Sequence, residues 1–219
     1  MDSKDVARVI KHEIWPLLKR EGFKEFSTKS AWRHSPDQIH VVNFQSFNSY
    51  LAEGVGCTTF SFALNLGIFF RAIPFEYPAK NGTDPSLKPQ EYHCHFRHRL
   101  LKGIHQPMLP RRDTWYVEPE GRNLKHCVDD ARTAIVLEGL PWFGRFESME
   151  YVLSQLIEQE DLPEVYATRT SPARRRMIGY VARSLGRTDL PERLIAEAEA
   201  EFKEIEESVY STARKRRPK

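Results

Sequence analysis

His93, Cys94, His95 and His98 place three imidazoles and a thiol within six residues, the donor types that hold zinc or activate a thiolate. Strand geometry divides them. Successive side chains on a strand point to opposite faces, so His93 and His95 share one side while Cys94 and His98 share the other. Two ligands can then converge, whereas a zinc site takes three or four, and no second Cys/His pair has ligand spacing. His126 and Cys127 are adjacent, which suits joint ligation from a helix poorly. No metal and no cofactor is therefore expected. Cys94 reads as an inward, inert thiol. The chain has no phosphate-cradling glycine loop, nucleophile elbow, zinc-protease helix or dinucleotide fingerprint. Asp129 and Asp130 read as an exposed helix turn, and no catalytic residue is assigned.

Alternation assigns a second group of polar residues to one sheet face. Val42 and Phe44 point one way, and Val41, Asn43 and Gln45 the other. Phe62, Leu64, Leu66 and Ile68 share a face, with Ser61, Ala63, Asn65 and Gly67 opposite. Cys94 and Phe96 are expected inward, and His93, His95, Arg97 and Arg99 outward. If these strands are neighbours, Asn43, Gln45, Asn65, His95, Arg97 and Arg99 form one patch. Guanidinium forks beside amides suit a phosphate or carboxylate. The same pattern also describes a solvated sheet face, because antiparallel sheets commonly keep one side wet.

The elements that must position this patch follow from periodicity. Val6, Val9, Ile10, Ile14, Leu17 and Leu18 recur at helical spacing, with Pro16 as a kink and Gly22 as the stop. The period then becomes two: Trp32 and Arg33 mark a first strand, 39–45 a second, 58–70 a third and 92–99 a fourth. A loop rich in Pro, Gly and Asn spans 74–89. Helices are expected over 123–139, 146–160, 172–186 and 190–212, the third capped by Ser171 with Pro172 in its first turn. The expected fold class is α+β, with an antiparallel sheet of about four strands, an N-terminal helix on one face and a C-terminal helical extension. The expected division is an α+β domain over 1–142 and helices over 143–219.

Composition narrows the setting. No apolar run approaches the roughly 20 residues of a bilayer span, and the first five residues form no signal core. Three separated cysteines, Cys57, Cys94 and Cys127, are no disulfide framework and fit a reducing, cytoplasmic compartment. A net charge of +3 does not by itself imply nucleic acid. The run Arg174, Arg175 and Arg176 and the basic residues of 214–219 are expected on a solvated helix face and a frayed tail. Trp115, Tyr116, Trp142 and Phe143 flank prolines and turns and read as aromatics that close a core.

Ordered blocks then carry a resemblance. The helix end Leu17-Leu18-Lys19-Arg20-Glu21-Gly22-Phe23-Lys24 is followed by Trp32 and Val41-Val42-Asn43-Phe44-Gln45. Leu64-Asn65-Leu66-Gly67-Ile68, Cys94-His95-Phe96-Arg97-His98-Arg99-Leu100, Trp115 and Gly139-Leu140-Pro141-Trp142 complete the series. In this order they resemble the bacterial family named domain of unknown function 4304, over about 6–142. The resemblance brings no activity or catalytic residue with it. Its motif positions, Asn43, Gln45, Asn65, His95, Arg97, Arg99 and Trp115, make up the candidate ligand-binding set. The leading expectation is a non-enzymatic protein-binding or accessory (immunity-type) module with a protein partner. A binder of, or enzyme on, an anionic small molecule is the alternative, and nucleic-acid binding through the basic runs is the third reading.

Overall fold

A computed structural model gives the fold and describes residues 3–75, 86–159, 161–165, 167–168, 170–188 and 191–215. The chain forms two compact units, Met1–Arg71 with Phe75–Arg145 and Ala72–Pro74 with Phe146–Lys219. Most of the loop expected over 74–89, and the end of the basic tail, lie outside the described residues.

In the first unit the opening helical pattern divides into α1 (Ser3–Glu13) and α2 (Trp15–Arg20). Pro16 sits in the first turn of α2, where its missing N–H costs nothing. Five strands follow: β1 (Glu25–Phe26), β2 (Ser30–His34), β3 (Gln38–Ser46), β4 (Phe62–Phe70) and β5 (Phe96–Arg99). They form an antiparallel meander in chain order, β1 being a two-residue edge beyond the four expected. Between β3 and β4 lies α3 (Ser49–Val55), which the sequence reading does not anticipate. Asn48 accepts the Leu51 N–H at 2.8 Å at its start, and Gly56, at φ +76°, closes it.

The covered face of the sheet carries Val42, Phe44, Leu64, Leu66, Ile68 and Phe96, all buried. Trp15 meets Phe44 with ring centres 5.7 Å apart, and Phe143 stacks on His40 at 4.6 Å. The helix expected over 123–139 is α4 (Leu124–Ala134), followed without a stop by a π-helical turn, Ile135–Gly139, and α5 (Leu140–Arg145). A side chain at Gly139 would sit 3.3 Å from both Leu66 and Leu100, so glycine allows the π turn to lie on the sheet. β4 is buried at all nine positions because its second face is also partly covered. There Trp32, Ile39, Val41, Phe69 and Cys94 form an apolar cluster. A Cβ on Gly67 would come within 2.5 Å of the Cys94 sulfur, so this glycine makes room for the thiol.

The second unit is helical: α6 (Met149–Glu158), α7 (Pro172–Ser184) and α8 (Pro191–Lys215). Ser171 caps α7 by accepting the Arg174 N–H, as its sequence position anticipates. The arginine run is not the solvated face expected. Arg174 is fully buried, and its guanidinium donates to the carbonyl oxygens of Leu156 (3.0 Å), Gln155 (3.3 Å) and Gln159. It closes the C-terminal end of α6, where carbonyls lack helical partners. Arg175 pairs with Glu201, and Arg176 lies over the Tyr180 ring.

Candidate functional site

The antiparallel register sets Asn43, Asn65 and Arg99 in one row across β3, β4 and β5. Gln45 lies two residues along β3 on the same face, and Arg97 two residues back along β5. Asn65 donates to the oxygens of Gln45 (3.1 Å) and Asn43 (3.5 Å), and Asn43 donates to the Ser30 hydroxyl at 2.9 Å. Arg99 donates from Nε to Asn65 at 2.9 Å and from Nη2 to Gln45 at 3.0 Å. A single network thus fixes the orientation of all three amides.

Above this row the chain leaves a recess of about 420 Å³, bordered also by Lys29, Ser46, Gln90, Glu91 and Tyr92. Its floor is polar and its mouth is wide. Lys29 donates to Ser46 at 2.5 Å, and Tyr92, 61% exposed, stands at the edge. Each arginine is matched by an internal carboxylate. Arg97 Nε donates to Glu91 at 2.5 Å, and Arg99 Nη1 donates to Asp113 at 2.9 Å. Asp113 also takes two bonds from Arg111, at 2.6 and 2.7 Å. The Arg111 hydrogen bond, and then that of Arg99, holds the Asp113 carboxyl well below the usual carboxylate range. The guanidiniums are therefore rigidly aimed. Glu91 is the one acid among the described lining residues, against Lys29, Arg97 and Arg99, and Asp113 is shared between Arg99 and Arg111, so the recess keeps a positive balance.

Two of the seven expected residues stand elsewhere. His95 precedes β5, and its ring lies against Phe69 and Phe70, accepting the Phe70 N–H on Nδ1 at 3.0 Å. Burial pushes its pKa down to about 3. Trp115 is fully buried on the covered face, stacked on Phe62 and donating its indole N–H to Asp130 at 2.8 Å. The other histidines and cysteines scatter likewise. Gln90 donates its N–H to His93, closing the 3-10 turn Glu91–His93 that replaces the start of the expected fourth strand. This turn carries Cys94 into the apolar cluster beside Gly67, on the same side of the sheet as Arg97 and opposite to Phe96. His98 bonds Glu138 at 2.7 Å. Among the described residues no three metal-ligating side chains converge. Burial raises the Cys94 and Cys127 thiols, the latter to about 11, so both stay protonated.

Glu91, Tyr92 and Lys29, which border the recess, and Asp113, which pairs with Arg99, are missed by the sequence reading. All four lie on turns or loops, where no period reports a face.

One comparison with known proteins is informative. The family described as Domain of unknown function (DUF4304) matches residues 14–145. The chain belongs to this family. The DUF4304 segment contains every recess residue, from Lys29 to Arg99, as well as Asp113, and ends with α5. It leaves out all of α1 and all three helices of the second unit. No curated protein and no solved structure matches the chain.

Proposed function

We propose that the DUF4304 unit is a non-enzymatic, cytoplasmic protein-binding module of accessory or immunity type, with the recess at the centre of its interface. The observation that carries this reading is the grouping of exposed Tyr92 with Arg97 and Arg99, both held in fixed positions by Glu91 and Asp113. Tyrosine and pre-oriented arginine are the residues that dominate protein interfaces. A recess with a polar floor and a wide mouth also differs from small-molecule sites, which are mostly apolar and enclose their ligand. The internal carboxylates weaken the anion-binding reading only in that Glu91 takes an N–H of Arg97 and Asp113 one of Arg99, leaving those donors engaged although the recess stays positive. The nucleic-acid reading weakens for a similar reason, since Arg174 is spent on a helix end and Arg175 on Glu201. Buried neutral imidazoles and protonated thiols give little support to acid–base or nucleophilic catalysis.

The test is site-specific photo-crosslinking in native cells, with p-benzoylphenylalanine incorporated at Tyr92 or, as a control, at Leu137. Leu137 is 74% exposed on the π turn that packs against the other sheet face. One protein species crosslinked from Tyr92 and not from Leu137 is the expected result. No crosslinked protein, or the same proteins from both positions, would overturn the reading.

A further inference from the structure

The helix α8 outlasts the helix it packs against. α7 has 13 residues and α8 has 25, about 20 Å against about 37 Å of helix. Ile195 and Ala198 are buried, and a side chain at Gly179 of α7 would strike Ile195 at 2.6 Å, so the first half of α8 packs closely. From Lys203 to Ser208 every residue is exposed. The apolar stripe does not stop there: Phe202 and Ile205 continue it at helical spacing, and Ile205 is 48% exposed. At 100° per residue, Glu204 and Glu206 fall on either side of Ile205. Over 203–208 the overhang is thus a short, exposed apolar ridge flanked by two acids, ahead of the basic residues that begin at Arg214.

The complementary surface lies beside α1. A groove of about 840 Å³ runs between α1, β3 and α3, with Ile10, Phe47, Phe60 and Leu51 in its apolar lining. Its cations are Lys4 and Lys29, on opposite walls, and no acid is among its described lining residues. The other flank of α1 is a cleft lined by Lys4, Arg8, Lys11 and Lys19, again with no acid in the lining, although Asp5 pairs with Arg8 nearby. Amphipathic helices dock in such grooves through anchors at i and i+3, and opposite charge on the rims selects the partner.

We propose that the α8 overhang of one copy seats in the α1 groove of a second copy, with Ile205 and Phe202 on the apolar floor and Glu204 and Glu206 facing Lys4 and Lys29. One wall of the groove is α1, which like α8 lies outside the family match, while the rest of its lining lies within it, so the contact joins this chain's own additions to the family unit. It goes beyond the recess-centred reading and uses a different surface, although Lys29 borders both.

Sedimentation equilibrium of the full chain at low and high salt tests it. Wild type is expected to self-associate with concentration at low salt, and at least tenfold more weakly in high salt. Lys4→Glu with Lys29→Glu should abolish association, as should Glu204→Lys with Glu206→Lys. Mixing these two variants should restore it, since each groove then meets a helix of opposite charge. All four positions are exposed, and thermal melts confirm that the variants fold. Tyr92→Ala with Arg99→Ala should leave association unchanged, which separates this contact from the recess. A wild-type monomer at every concentration overturns the proposal, whether the groove then takes another protein or an anionic lipid surface. Association indifferent to either reversal, or not restored on mixing, overturns it equally.

Discussion

His40 shows how a residue with catalytic chemistry can be committed wholly to structure. Arg33 donates to its Nδ1 from Nη2 (2.8 Å) and Nε (3.1 Å), so Nε2 keeps the proton and donates it to Gln38 at 2.8 Å. Burial, and then the Arg33 charge, brings its pKa down to about 3. An unfolded histidine titrates near 6.5. Between these values the unfolded chain binds a proton that the folded chain refuses, so stability is full above pH ~6.5 and falls with acid. His40 should cost about 1 kcal/mol between pH 7 and pH 5.5. Urea denaturation at the two pH values should show this loss together with a similar one from buried His95, and His40→Gln should remove the His40 share, about half of the two together. An equally steep pH dependence in the variant would mean that another group titrates. The position of His40 on the covered face follows from alternation, but its tautomer depends on Arg33 across the strand pair, which the sequence does not rank above other neighbours.

At the scale of elements, two close approaches carry sharp expectations. Gly67→Ala should destabilise the first unit by about 1–3 kcal/mol through overpacking against Cys94, and Cys94→Ala should recover part of that loss. Chemical denaturation of the single and double variants measures it, and strictly additive losses would place the strain elsewhere. Arg174→Met should cost about 3 kcal/mol or more, because it leaves carbonyls of the α6 end without a donor. A melting temperature equal to wild type would contradict that role. The amide row was legible because Asn43, Gln45 and Asn65 sit at alternate positions opposite the apolar side chains Val42, Phe44, Leu64 and Leu66 in two nine-residue strands. β1 was not, since two residues show no period. The continuation through Pro141 was hidden because Gly139 and Pro141 read as a stop. The π turn ahead of Pro141 interrupts the ordinary hydrogen-bond ladder where proline has no N–H to offer.

At the scale of the molecule, a family unit with a rigid polar recess carries helical additions, the last of which presents Glu204 and Glu206 beyond the end of its packing on α7. Sequence periodicity located the face that holds the recess and missed the carboxylates that orient its arginines. Glu91 and Asp113 reach the arginines from a 3-10 turn and a loop, through contacts that only the tertiary fold creates. Those carboxylates hold the arginines as fixed donors, which suits the protein partner already expected from the sequence better than the anionic alternative proposed beside it. The most direct measurement is the affinity, by calorimetry, of wild type and Arg99→Ala for the protein crosslinked at Tyr92. Losing Arg99 should weaken binding at least tenfold, about 1.4 kcal/mol, while the melting temperature stays within a few degrees of wild type. Undiminished affinity in Arg99→Ala would contradict the recess as the centre of the interface.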